Sequence, residues 1–502
     1  MLLKDLWRLL GNAFIHKKSA PDILLLPSTA LSYLLIIFAA IFTLGCSFPK
    51  DGITIFPNIT FSFPGIAEWL NYNNKAEAID YFTINLQTGG FLNQTGGHGR
   101  MVRSALPAKC TPADIKALPV QPIEYPAGKN NVLSPMWKAF KNAPNKSKTP
   151  MRILHYGDSQ LEADRISYFL RTQFQQRFGG GGIGFVPLNP VIPVNPTVNM
   201  TMSSGWEYST ALVKEEQRNP KPVGHLLSNA VLPANISNAW IKIDRRTLKA
   251  YPPLRFTQIK LLFSNYDAER VIEICTPTQT LHRQIAFPES SVQEIVANVG
   301  NTHEPITIKV QGSGRITLYG VAMDYNNGIA LDNIPLRASA GLDFVKADVN
   351  VLKQCYKELN VKLIILQFGV NVVPHQTTNY KYYENQIYKQ LKQLQMAASY
   401  TPILVVGVSD IARRNANGVW ASYPNVEKVR DAQRNAAFRA NCAFWDTYQA
   451  MGGENSIISW ASARPALATK DFCHFSPNGI QLLSELLYRS LMDDFVTYYT
   501  AK

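Results

Sequence analysis

Little in these 502 residues points to a metal or to a nucleic acid. The eight histidines are dispersed and the six cysteines as scattered, so no donor cluster has zinc-ligand spacing and no cofactor is expected. No basic recognition helix, zinc-finger spacing or RNA-binding signature appears, which argues against a nucleic-acid partner despite a formal net charge of +14. Charged residues are sparse at 17%, while hydrophobic residues make up 46%, a balance that suits a globular chain and not a disordered one. The length calls for two or three domains. Beyond Cys46, the cysteines (Cys110, Cys275, Cys355, Cys442 and Cys473) are odd in number and form no framework. They read as buried free thiols, with room for one bridged pair in an oxidising compartment.

Long apolar runs are scarce too, with one exception. Ile23 to Cys46 carries no charge and is long enough to cross a bilayer. Lys4, Arg8, Lys17 and Lys18 precede it against Asp5 and Asp22, so the positive-inside rule keeps residues 1–22 cytoplasmic and exports the rest. The segment is long for a cleaved signal peptide, so 23–46 reads as an uncleaved signal anchor. Its end, Thr43-Leu44-Gly45-Cys46, offers a second reading, because bacterial lipoprotein processing sites end in a small residue followed by Cys. A hydrophobic core helix is the bland alternative. Residues 47–145 are rich in Pro, Gly, Asn and Thr and read as a stalk or linker, closing with a short amphipathic helix over Leu133 to Asn142. Between Arg100 and Arg152 the basic residues face only Asp114 and Glu124. That stretch is either a solvated linker or a contact for anionic glycan or lipid headgroups.

From residue 146 the pattern changes. Apolar runs at 151–155, 328–334, 362–368, 402–408 and 442–446 alternate with helical periodicity at 161–177, 345–359, 380–397, 426–440 and 477–493. Five such strands predict an α/β fold with a flavodoxin-like five-stranded parallel sheet, covered on both faces. Its active site belongs at the carboxyl ends of the strands. Between the first helix and the second strand, residues 190–325 lack helical period. They contain short alternating runs such as Ala239 to Ile243, Thr257 to Phe263 and Arg315 to Tyr319, separated by turn residues. That is the pattern of an inserted antiparallel β-sandwich, which splits the α/β domain into residues 146–189 and 326–502.

Three short segments carry the chemistry. Gly157-Asp158-Ser159 follows the first strand and precedes a helix, a junction that exposes a serine hydroxyl. Gly369-Val370-Asn371 ends the third strand, and Asp471-Phe472-Cys473-His474 lies just before the last helix. Ser159 would be the nucleophile, His474 its base, and Asp471 the group that fixes the imidazole. Ser159 N–H and the Asn371 amide would receive the oxyanion. Singly, each has a bland reading: a helix N-cap, a surface-loop histidine, a turn former.

Together, in this order and setting, the segments resemble the SGNH (GDSL) family of serine esterases and acyltransferases. The match covers 151–178 and about 327–495. Family members take a third oxyanion donor from a backbone glycine after the second strand. Here spacing from Asn333 puts it at Ala338, and residue type puts it at Gly341. Phe178 to Pro187, with Gly179 to Gly184 inside it, and Met451 to Asn455 with Trp460 resemble the bacterial envelope branch that acts on acetylated glycans. Members of that branch carry a carbohydrate-module-like sandwich at the same place. The glycine run reads as a hinge or an anion nest, Trp460 as a sugar-stacking ring or a core residue, Asp410 as a turn residue and Cys473 as packing. The resemblance implies an O-acetylesterase of peptidoglycan or exported polysaccharide, held at the inner membrane with its catalytic part periplasmic. An O-acetyltransferase served by a membrane-bound acyltransferase partner, and a non-catalytic glycan-binding protein, stand as alternatives.

Overall fold

The computed structural model describes residues 119–129, 131–141, 149–188, 195–212, 223–248, 251, 254–300 and 302–500, with the backbone of 53–56 and 59–61. The expected anchor at 23–46, Cys46, Cys110 and most of the expected stalk lie outside the described residues. Among the described helices none is long and apolar enough to cross a membrane. The chain divides into two units, Met1–Asp80 and Tyr81–Lys502. In the first, β1 (Ile53–Phe56) and β2 (Ile59–Phe61) pair antiparallel. The second holds everything that follows.

Its centre is a five-stranded parallel sheet built from β3 (Met151–Gly157), β15 (Ile329–Pro335), β16 (Val361–Gln367), β17 (Ile403–Val406) and β20 (Ala443–Trp445). The order β15-β3-β16-β17-β20 is the flavodoxin-like arrangement, with its topological switch between β3 and β16. All seven residues of β3 are buried, as expected of a strand covered on both faces. Gly157 stands opposite Pro335 on one side and Gln367 on the other, so three strands end level. A Cβ on Gly157 would come within 2.7 Å of the Gln367 carbonyl and the Leu161 side chain. Only glycine lets the turn after β3 lie that close to its neighbour.

The expected stalk boundary at 145 does not hold. α1 (Ser134–Lys141) buries Met136, Trp137 and Phe140, and Trp137 Nε1 donates to Asp494 Oδ2 at 2.6 Å. Glu124 exchanges backbone hydrogen bonds with Phe444 at the far strand. The Pro- and Gly-rich setting masked an apolar helix face that packs against the central strand β16 and the last helix.

The insert is two packed antiparallel sheets. One is ordered β11 (Thr280–Ala286), β10 (Arg270–Cys275), β13 (Ile306–Gly312), β8 (Asn238–Arg245) and β5 (Val198–Met202), the other β12 (Glu289–Asn298), β9 (Gln258–Asn265), β14 (Ile316–Asp324), β7 (Ser228–Leu232) and β6 (Glu207–Thr210). It starts earlier than residue 190, because β4 (Gly182–Val186) pairs with β14 (Ile316–Asp324). The glycine run is therefore neither hinge nor nest. A Cβ at Gly184, whose φ is +80°, would meet Asp332 Oδ1 at 2.2 Å and the Leu331 carbonyl at 2.7 Å, so the run threads between the two domains. β8 (Asn238–Arg245) alternates exposed and buried, whereas β9 (Gln258–Asn265) is buried throughout. Ile259, Leu261 and Phe263 fill the sandwich, while Leu262 faces the α/β core with Leu154, Leu352 and Cys355. A register shift between Leu318 and Gly320 lets β14 serve both cores. Arg152 of β3 pairs with Asp324 from the insert and Asp332 from β15, all buried. The two layers are welded together.

Candidate active site

Ser159 and Asn371 follow strand ends, Asp471 and His474 lie on the loop before the last helix, and each is placed for a local reason. Asp158 caps the single-turn segment Ser159–Asp164 by accepting the Gln160 N–H at 3.0 Å, so Ser159 is not the cap and its hydroxyl is left to other partners. Asp158 also accepts N–H bonds from Gly369 and Val370, which ties the Ser159 turn to the Asn371 turn. Burial raises the Asp158 carboxyl to about 7. Ala163 and Asp164 follow with φ of +56° and +61°, a kink before α2 (Arg165–Phe178). Arg171 holds Asp164 bidentately at 2.6 and 2.8 Å, and Asn195 donates to the same carboxylate.

The other half comes from the loop before α8 (Pro477–Thr500). Ser476 Oγ accepts the Gly479 N–H and proline opens the helix, which stops the loop firmly. Thr469 N–H donates to the His474 carbonyl at 2.9 Å and closes the loop. Asp471 Oδ1 accepts Thr469 Oγ1 at 2.5 Å and the N–H groups of Cys473 and His474 at 3.0 Å each. Burial opposes charge on Asp471, yet these bonds and the one to the His474 ring outweigh it and hold the carboxyl well below its ordinary range. Asp471 Oδ2 lies 2.7 Å from His474 Nδ1, and His474 Nε2 lies 3.0 Å from Ser159 Oγ. A carboxylate on Nδ1 favours the tautomer with a free Nε2 lone pair aimed at the serine. Gln160 Nε2 donates to the Cys473 carbonyl at 2.9 Å and locks the two loops together.

Asn371 Nδ2 donates one hydrogen to the Ser339 carbonyl at 3.0 Å, leaving the second for another acceptor. The two candidates for the last donor separate cleanly. Gly341 N–H is taken by Ser339 Oγ at 2.9 Å. Ala338 occupies the tip of a turn closed by Ser339 N–H to the Leu336 carbonyl, is exposed, and has φ +60°. A non-glycine held in that region marks a site where conformation is imposed.

No family model matches the chain, and no curated protein matches it. A solved peptidoglycan O-acetylesterase superposes at a TM-score of 0.58, covering 72% of this chain and 96% of that one at 19% identity. The chain shares that fold. Weaker likenesses to a salicylyl-acyltransferase from a tetracycline biosynthetic pathway (TM-score 0.28, 9% identity, 62% of this chain and 97% of that one) and to a GDSL-like lipase from Parabacteroides merdae (0.25, 16%, 32% and 72%) carry no weight.

Within this fold, Trp460 is not a sugar platform. It is fully buried, donates Nε1 to the Met451 carbonyl at 3.1 Å and packs on Phe475. Asp410 is buried beneath the site, accepts Ile457 N–H at 3.0 Å, and is raised to about 6 by burial. Cys473 is half-buried, and burial with Asp471 and Asp158 nearby pushes its thiol up to about 12, so it stays neutral. It is free, as are Cys275, Cys355 and Cys442. His155, inside β3 ahead of the nucleophile, is lowered to about 3 by burial and bonds Ser167 and Gln367, a structural role. Three participants escaped the sequence reading: Thr469, Gln160 and the aromatic Trp420. A threonine two residues before a proposed triad aspartate is a usable signal; the other two have none.

Proposed function

We propose that this chain is a serine esterase that removes O-acetyl groups from a cell-envelope glycan through an acetyl-Ser159 intermediate. The observation that carries the reading is the aligned relay from Asp471 through His474 to Ser159, at 2.7 and 3.0 Å. Ser159 Oγ attacks the ester carbonyl as His474 Nε2 takes its proton, and the Asp471 carboxylate stabilises the imidazolium. Ser159 N–H, Ala338 N–H and the second Asn371 amide hydrogen receive the oxyanion. His474 then returns the proton to the departing sugar hydroxyl. Water, deprotonated by His474, attacks the acetyl-serine and releases acetate. The likeness to a solved peptidoglycan O-acetylesterase supports an acetylated glycan as substrate.

Residues 23–46 would hold the enzyme in the inner membrane with the catalytic unit in the periplasm. Capture of the acetyl group by a glycan hydroxyl instead of water would make the same residues a transferase, with a membrane acyltransferase as donor partner. One experiment tests the reading: acetate and p-nitrophenol release from p-nitrophenyl acetate, with and without glycan acceptor, for wild type and Ser159→Ala. Equal release of both products is hydrolysis. Excess p-nitrophenol only with acceptor is transfer. Background release by the wild type, or full activity in Ser159→Ala, refutes both.

A further inference from the structure

Beside the catalytic loop lies a small hairpin that the mechanism does not use. It consists of β18 (Ala412–Arg414) and β19 (Trp420–Ser422), with Arg414 paired to Trp420 across the strands. One face rests on the loop carrying the base: Ala412 N–H donates to the Phe472 carbonyl at 3.0 Å, and the Trp420 ring lies 4.2 Å from that of Phe472. The other face reaches the loop that follows Asn371, where Arg413 Nη2 is 3.4 Å from Gln376 Oε1. The hairpin therefore joins the segment bearing His474 to the segment bearing an oxyanion donor.

Its two arginines are restrained in an unusual way. Arg413 and Arg414 are both exposed, and neither has a carboxylate partner among the described residues. Each is steered by an aromatic ring: Arg413 lies 5.2 Å from the Tyr423 centroid and Arg414 5.4 Å from that of Trp420. A ring orients a guanidinium without consuming its N–H donors or neutralising its charge, as a carboxylate would. Elsewhere around the site, Lys470 adjoins Asp471 and is exposed, and Arg337 adjoins Ala338 with its side chain 75% exposed. Of the acids there, Glu162 is paired with Arg337 and Arg165, and Asp471 with His474. Glu454 stands at the hairpin's foot, beside the Asn455 that bonds Ser422. The rim is cationic, and each hairpin guanidinium gives one N–H to a neutral oxygen at 3.4 Å, Arg413 to Gln376 Oε1 and Arg414 to the Gly418 carbonyl, while keeping its charge and its other donors.

We infer that this hairpin is the subsite for a carboxylate-bearing sugar flanking the acetylated residue, so that the substrate is an anionic acetylated glycan. This rests on the esterase reading for its substrate but not for its binding test. A planar guanidinium matches a carboxylate bidentately, and two of them on a hairpin that bears on the His474 loop would fix which ester is presented.

The test uses the full-length chain in detergent. Wild type, Arg413→Ala/Arg414→Ala and the charge-keeping Arg413→Lys/Arg414→Lys are compared on O-acetylated polygalacturonate and on O-acetylated glucomannan, which is neutral. Each rate is normalised to that variant's rate on p-nitrophenyl acetate. The alanine pair should raise KM for the anionic polymer about tenfold relative to the neutral one, from two partly solvated charge contacts. The difference should vanish near about 1 M salt, where screening length falls to about 3 Å. Retention of Ser159→Ala, with and without the alanine pair, in affinity gels containing deacetylated polygalacturonate needs no turnover. It should be lost with the alanine pair and largely kept with the lysine pair. If no variant turns over any ester but retention depends on the arginines, the esterase reading fails and the anionic subsite stands. Equal proportional losses on both polymers, or retention indifferent to the arginines, would overturn the subsite.

Discussion

Replacing Asp471 by asparagine separates its two jobs. Oδ1 takes three donors and shapes the loop, while Oδ2 takes the His474 Nδ1 proton. Asparagine keeps a carbonyl oxygen for the three donors but sets an NH₂ against Nδ1. The imidazole must then accept at Nδ1 and carry its proton on Nε2, where it cannot take one from Ser159. A triad with the wrong tautomer loses about 10⁴ in turnover, or about 5 kcal/mol of transition-state stabilisation. Alanine would lose that and also strip the loop of an acceptor for three donors, a further cost of about 1–3 kcal/mol in stability. The assay is steady-state hydrolysis of p-nitrophenyl acetate together with urea midpoints. Asp471→Asn should be nearly inactive with a midpoint close to wild type, and Asp471→Ala inactive and less stable. If Asp471→Asn keeps a tenth or more of wild-type turnover, the orientation argument is wrong.

Removing one oxyanion donor with Asn371→Ala should cost about 10²–10³ in turnover with KM little changed, and an unchanged turnover would exclude Asn371 from the site. Burial raises the folded Asp158 carboxyl to about 7, so its contribution to stability is complete below about pH 4 and lost as pH rises through about 7. Urea midpoints should fall over that window, and Asp158→Asn should flatten the slope; an equally steep variant would assign the slope to other groups. Arg152→Ala should destabilise the protein by about 3–5 kcal/mol, because Asp324 and Asp332 would be left buried without their cation. A loss under about 1 kcal/mol in calorimetry would show that the insert is not held to the sheet by this cluster.

The parallel sheet was legible because its strands are short apolar runs between helices of clear period. Strand boundaries fell within a residue or two, as at 362–368 against Val361–Gln367, whereas the first two expected helices begin later, at Arg165 and Val349, and the last runs past 493 to Thr500. The juxtaposition of Ser159, Asp471 and His474 was legible because a serine after the first strand and an Asp-x-x-His loop before the last helix form a recognisable order along the chain. What the sequence hid lies at junctions. Gly179 to Gly184 looks flexible in one dimension, yet a Cβ at Gly180, Gly182 or Gly184 would run into the backbone of β14 or β15. Leu262 looks like one more residue of a sandwich strand but packs into the other domain's core. Trp460 stayed open between ligand platform and core residue because its burial depends on Met451 and Phe475, whose proximity only the fold creates. The third oxyanion donor was undecided for a similar reason: Ser339 Oγ claims Gly341, and nothing local announces it.

The most direct test of the central claim is the intact mass of the protein, quenched in acid within milliseconds of mixing with an acetyl ester. The account predicts a transient gain of one acetyl group, mapped by peptide fragmentation to Ser159, absent in Ser159→Ala and prolonged when acetyl release is slowed. An acetyl group on any other residue, or steady acetate production with no acylated protein at any time, would contradict it.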